Sequence, residues 1–221
     1  VSLGQVVVFY PPPPEVLASI VSFGNNQTEH YYQSANGLSE LIDALKIKLK
    51  FENNIIINEN HTIMVTAGSN MAFYYCLLAI TDPGDEIIIN TPYYFNHEMA
   101  ISMANCNAIT VPTYKNYQLD LDGLKSAITH RTRAIITISP NNPTGAIYPT
   151  KTLEQINNLC LQKNIYHISD EAYEHFTFDD AKHVSPGSFA DSNQHTISLF
   201  SFSKSYGLAS WRIGYLVAPS H

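Results

Sequence analysis

From residue 61 onward the chain alternates short, β-branched apolar runs with segments of helical period, and few folds accept that pattern. Residues 62–66, 86–89, 108–111, 133–138, 165–169, 196–200 and 213–217 read as strands. Residues 69–80, 97–104, 121–129 and 153–163 read as helices between them, the first stopped by Asp82-Pro83-Gly84. Strands apolar on both sides need cover on both faces, so the reading is an α/β fold: a mostly parallel sheet with helices on both faces. The first run, 62–66, reads as a buried strand. The last two strands are joined too briefly for a crossover, which predicts an antiparallel edge there. Upstream, Pro11 to Pro14 form an extended arm, followed by a helix to about Phe23. A further helix opens at Gly37-Leu38-Ser39-Glu40, with Leu41, Ile42, Leu45 and Leu49 on one face. This divides the chain into an arm, 1–36, and a main domain, 37–221.

Composition removes several function classes. Lys and Arg number 12 against 19 Asp and Glu, a net charge of −7 with no basic run, which argues against a nucleic-acid partner. The longest apolar run, residues 71–80, is too short to cross a bilayer, so no membrane association is expected. Cys76, Cys106 and Cys160 lack metal or disulfide spacing, and Cys76 sits in that run as a core residue. The expected setting is reducing and cytoplasmic, and no metal site is expected. The sequons at Asn26 and Asn60 read as chance matches in loops.

The unusual residues fall just after strands. Gly68-Ser69-Asn70, Thr91-Pro92-Tyr93-Tyr94, the run 139–145, Asp170-Glu171-Ala172-Tyr173 and Ser201-Phe202-Ser203-Lys204 each follow one. In an open α/β sheet ligands bind at the carboxyl ends of strands, so five clusters on one edge predict one site. Taken singly, Asp170 is a helix cap, Lys204 a surface lysine, Tyr93 and Tyr94 core aromatics and Asn142 part of an ordinary turn. Taken together they supply helix-start amides for a phosphate, flat faces for a ring, a carboxylate for a ring cation and an amine for a carbonyl. Pyridoxal phosphate carries all four features. Ser201 to Lys204 also match S-x-x-K, but the K-T-G and S-D-N partners of that chemistry are absent. No G-x-S-x-G, H-E-x-x-H, P-loop or G-x-G-x-x-G occurs.

The motifs SPNNPTG (139–145), ISDEAYEHF (168–176) and SFSKSYGLASWRIGY (201–215), with TAGSNMAF (66–73) and DPGDEIIINTPYY (82–94), resemble the large domain of class I/II aminotransferases, fold-type I pyridoxal-phosphate enzymes. The resemblance covers nearly the whole chain. It implies that Lys204 is the Schiff-base lysine, that Asp170 pairs with the pyridinium nitrogen and that Asn142 and Tyr173 bond the ring's phenolic oxygen. It implies Tyr94, with Tyr93 as substitute, on the ring face, and Gly68, Ser69, Asn70, Ser201 and Arg212 around the phosphate. Tyr32 would reach the phosphate of a neighbouring subunit, implying a homodimer, and the Asn142–Pro143 bond would be cis. The implied activity is amino transfer between an amino acid and a 2-oxo acid. A lyase of the same fold and a cofactor-sensing regulatory module are the alternatives. Two departures stand out. Val6 occupies a position expected to be glycine in the substrate-side loop, and the family's C-terminal small domain, with its carboxylate-binding arginine, is not among these residues.

Overall fold

The computed structural model describes residues 7–220; Val6 lies outside them. The order is α1 (Pro14–Ser22), α2 (Ser39–Glu52), β1 (His61–Thr66), α3 (Ser69–Ile80), β2 (Glu86–Thr91), α4 (Phe95–Met103), β3 (Asn107–Pro112), α5 (Leu121–Ala127), β4 (Thr132–Ile138), α6 (Thr150–Lys163), β5 (Tyr166–Asp170), β6 (Thr196–Ser201) and β7 (Gly214–Pro219). The seven strands form one sheet in the order β1-β7-β6-β5-β4-β2-β3.

The apolar runs of β2 and β4 show why both faces are covered. Ile87 and Ile89 of β2 join Ala134 and Ile136 of β4 under Phe73 and Leu77 of α3 and Ile101 of α4. The intervening Ile88 and Ile135 point the other way, against Leu124 of α5 and Leu153, Ile156 and Cys160 of α6. A third cluster packs Leu45 and Leu49 of α2 on Phe200, Tyr215 and Val217. Residues one apart on a strand face opposite sides, so a continuous isoleucine run is the signature of a strand with helices above and below.

Two details of the sheet differ from expectation. β7 does run antiparallel to β6, but it is not the edge: β1 pairs along its outer side, also antiparallel. β1 is therefore an edge strand, with Ile63 and Thr66 buried and its other residues partly exposed. The physical reason is that β7 carries apolar side chains on both faces and free backbone groups on both sides, which an outer strand satisfies. Because β7 alone is reversed, the C-terminal ends of β1, β2, β4, β5 and β6 share one edge of the sheet.

A buried polar network locks α6 to the sheet. Asn157 Nδ2 donates to His167 Nδ1 (3.0 Å) and to Thr196 Oγ1 (2.8 Å). His167 Nδ1 is thus an acceptor, and Nε2 carries the hydrogen toward Thr137 Oγ1 at 2.9 Å. His167 is fully buried, and burial, aided by nearby His195, pushes its pKa down to about 3. The unfolded chain takes up this proton near pH 6.5 and the folded chain does not. Stability from this site is therefore full above about pH 6.5 and lost as the pH falls toward 3. We expect urea midpoints to fall over that interval and His167→Gln to flatten the slope; a variant with an unchanged slope would contradict the assignment.

Candidate active site

The shared strand edge opens into a cavity of roughly 780 Å³. Of the residues expected at the site, Ser69, Asn70, Tyr93, Tyr94, Asn142, Asp170, Tyr173, Ser201, Lys204 and Arg212 all line it. Gly68 lies beside it under the Arg212 guanidinium. Tyr32 does not line it and is fully exposed.

Asp170 ends β5, and only 4% of its surface is exposed. No helix follows; the Ala172 N–H donates to its Oδ1 at 3.1 Å in a tight turn. His97 Nε2 lies 3.0 Å from Oδ2, an electrostatic contact without straight hydrogen-bond geometry. His97 is itself buried, with its ring 4.4 Å from that of Phe73 and edge-on to Tyr94 at 5.3 Å. Sequence reasoning passed over His97. The available signal was its place one turn into a helix whose cap, Tyr94, belongs to a strand-end cluster.

Lys204 follows β6. Burial, and secondarily the Arg212 cation, hold its ammonium below the ordinary lysine range. Its Nζ stands 5.7 Å from the centre of the Tyr173 ring. Burial and the charge of Asp170 push the Tyr173 phenol up to about 12, so it keeps its proton and can donate a hydrogen bond at neutral pH. The two groups therefore tend toward complementary states: an amine more readily freed of its proton and a phenol that keeps its own.

A polar corner forms where α3 begins. Gly68 precedes it with no side-chain cap, leaving first-turn amides available beside the cavity. A Cβ on Gly68 would run into Arg212. Arg212 Nη1 donates to Ala209 O at 2.8 Å and to Ser203 Oγ at 3.3 Å, which aims the guanidinium. Beneath them Gly214 opens β7, where a Cβ would sit 2.6 Å from Ser69 N and 2.8 Å from Phe200 O. Sequence reasoning gave Gly214 and Ser203 no role, although both fall inside the motif at 201–215.

The turn after β4 is rigid. Asn141 Oδ1 accepts from Thr144 N (3.2 Å) and Thr144 Oγ1 (2.8 Å), and the Asn142–Pro143 bond is cis, as expected. This turn presents Asn142 to the cavity. Of the two tyrosines after β2, Tyr93 also packs against the apolar core, whereas Tyr94 caps α4 and accepts from Asn96 Nδ2 at 2.6 Å. That favours Tyr94 as the stacking platform.

Behind the site lies a second buried network that sequence reasoning missed. Glu171, fully buried, accepts from the Ser185 hydroxyl and from His183 Nε2, the latter at 2.8 Å. Burial opposes the His183 cation, but Glu171 and Glu174 outweigh it and raise its pKa. Glu174 accepts from Lys48 Nζ at 2.5 Å and from Asn53 Nδ2 at 2.7 Å, tying α2 to the loop that carries Tyr173.

The donor set fits pyridoxal phosphate: an amide and guanidinium corner for a phosphate, a buried carboxylate for a ring cation and a partly desolvated amine for an aldehyde. Among the described residues no helix is long and apolar enough to cross a membrane.

Comparison with known proteins agrees. Residues 1–221 match the family described as Aminotransferase class I and II. The aspartate aminotransferase of Pyrococcus abyssi is 40% identical over 192 residues, covering 86% of this chain and 49% of that protein. A probable aspartate/prephenate aminotransferase of Aquifex aeolicus is also 40% identical, covering 85% of this chain and 48% of that protein. Among solved structures, an aromatic aminotransferase from Pyrococcus horikoshii OT3 superposes with a TM-score of 0.93 at 36% identity, covering all of this chain and 59% of that one. The chain spans about half the length of the curated relatives it matches. With the family match running the full length, and the cavity, lysine and carboxylate arranged on the sheet edge where the motifs put them, this chain belongs to the class I and II aminotransferases, a pyridoxal-phosphate-dependent family.

Proposed function

We propose that this protein moves an amino group between an amino acid and a 2-oxo acid, and that the chain supplies the part that holds the cofactor. The observation that carries this is the placing of Lys204, with its lowered pKa, in one cavity with the buried Asp170 carboxylate and the Arg212 corner. The names of its relatives, aspartate, aspartate/prephenate and aromatic aminotransferases, support the same reaction class.

Bound pyridoxal phosphate supplies an aldehyde to take up the amino group and a ring that draws electrons from the substrate Cα. The residues do the rest. Lys204 would hold the cofactor through its aldehyde, and its amine, more readily freed of its proton, would carry the proton to and from the substrate Cα. Asp170, oriented by Ala172 N–H and His97, would keep a proton on the ring nitrogen. Tyr173 and Asn142 would donate to the phenolic oxygen, and Tyr94 would cover the ring face. Gly68, Ser69, Asn70, Ser201 and Arg212 would hold the phosphate, which the planar fork of the arginine suits. In the proposed homodimer Tyr32 reaches the partner subunit's phosphate, residues 1–36 form the arm and dimer contact and 37–221 the cofactor domain. We place the protein in the cytoplasm.

Three outcomes are expected. Borohydride reduction of the cofactor-loaded protein, followed by peptide mapping, labels Lys204; a label elsewhere refutes its role. Asp170→Ala loses on the order of 10²–10³-fold in turnover, the scale of a lost preorganised charge, with a much smaller loss of cofactor affinity. Finally, removing the Arg212 cation lets the Lys204 pKa rise. In cofactor-free Arg212→Gln, amine acylation of Lys204 should therefore begin at higher pH than in the unaltered protein.

A further inference from the structure

The N-terminal arm is fastened to the backbone of the site lysine. The Tyr10 hydroxyl donates to the carbonyl oxygen of Lys204 at 2.7 Å, with Ser205 O at 3.5 Å as a weaker second acceptor. The same Lys204 carbonyl receives the Gly207 N–H at 3.3 Å, closing the turn that follows the lysine. The arm backbone lies directly on that turn: a Cβ at Gly207 would come 3.1 Å from Tyr10 O and 3.2 Å from Pro11 O. Residues 11–14 are all proline, so the chain leaves this contact in a stiff, extended direction. On the other side, three residues upstream, Val7 lines the cavity that Lys204 enters.

We propose that Tyr10 is a positioning residue for the transamination described above: its hydroxyl seats the arm on the Lys204 turn and so holds Val7 as a wall of the cavity that Lys204 enters. The inference rests on that functional reading for its kinetic consequence, but the latch itself is independent of it. A carbonyl in a turn that must present a lysine has two lone pairs, and the turn uses one through Gly207. Tyr10 takes the other, so the lysine turn and the arm share one anchor. Phe9, next to Tyr10, is fully exposed, with its ring edge-on to that of Tyr10 at 5.7 Å. The short stretch from Val7 to Pro11 therefore depends heavily on this hydrogen bond and on its contact with Gly207.

The test compares the cofactor-loaded protein with its Tyr10→Phe variant, which keeps the ring and loses the hydroxyl. One net hydrogen bond corresponds to roughly a two- to tenfold change in an equilibrium. Chymotryptic cleavage after Phe9 should quicken by that factor, and the KM for the amino donor should rise by a similar factor with a smaller change in kcat. An unchanged cleavage rate, or an unchanged KM, overturns the proposal. In the unaltered protein, cleavage after Phe9 must also be slower than in a free peptide of residues 7–14, and equal rates overturn it without any variant. Hydride labelling of Lys204 in both proteins reads the functional assignment separately: loss of that label in the unaltered protein defeats the assignment, while the cleavage comparison still decides the latch.

Discussion

The site is organised around an almost fully buried carboxylate that faces the cavity. Asp170 is almost fully buried at the end of β5, and an uncompensated charge there would cost several kcal/mol. One oxygen is held by the Ala172 amide and the other faces His97, which leaves the carboxylate directed and ready for a cation in the cavity. That requirement propagates outward. His97 can stand there because α4 starts at Phe95, because Phe73 of α3 backs its ring and because Tyr94 meets it edge-on. One buried charge thus ties β5, α3, α4 and the ring platform into a single geometry.

The polar corner opposite depends on close backbone approach instead. β7 runs against the direction of its neighbours, so its first residue arrives at the edge where the other strands end. Gly214 stands there because a side chain would strike Ser69 N and Phe200 O, and Gly68 is bare because Arg212 lies over it. The antiparallel strand has a local purpose: it brings the 201–214 segment, with Lys204 and Arg212, beside the start of α3. The two cationic side chains then share a cavity, which is part of why the lysine holds its proton less tightly.

Beneath the cavity, ion pairing replaces apolar packing. Glu171 and Glu174, one and four residues after Asp170, would be costly if left alone, but Ser185 and His183 meet one oxygen of Glu171, and Lys48 and Asn53 meet the two oxygens of Glu174. The loop carrying Tyr173 is therefore anchored from behind by α2, just as the Lys204 turn is anchored from the front by Tyr10. Loops that bear chemistry are mobile by default; here each has a polar fastening to an element far away in sequence.

Local pattern was sufficient for most of the elements and for most of the residues that line the cavity. Runs such as 86–89 and 133–138 announce two-sided strands, and α3 ends where Asp82-Pro83-Gly84 predicts. The strand-end clusters gave the lining residues because all strands of one direction in a sheet finish at one edge. The arrangement of neighbours was not legible. Periodicity records which face of a segment is buried and says nothing of what covers it, so the placing of β1 outside β7 could not be read. His97 on Asp170, Gly214 under Ser69 and Tyr10 on Lys204, 194 residues away, are likewise products of packing. The sequence determined which groups reach the carboxyl edge of the sheet; the tertiary structure decided which of them meet, because partners distant along the chain are chosen by the close-packed whole and leave no mark on the local pattern.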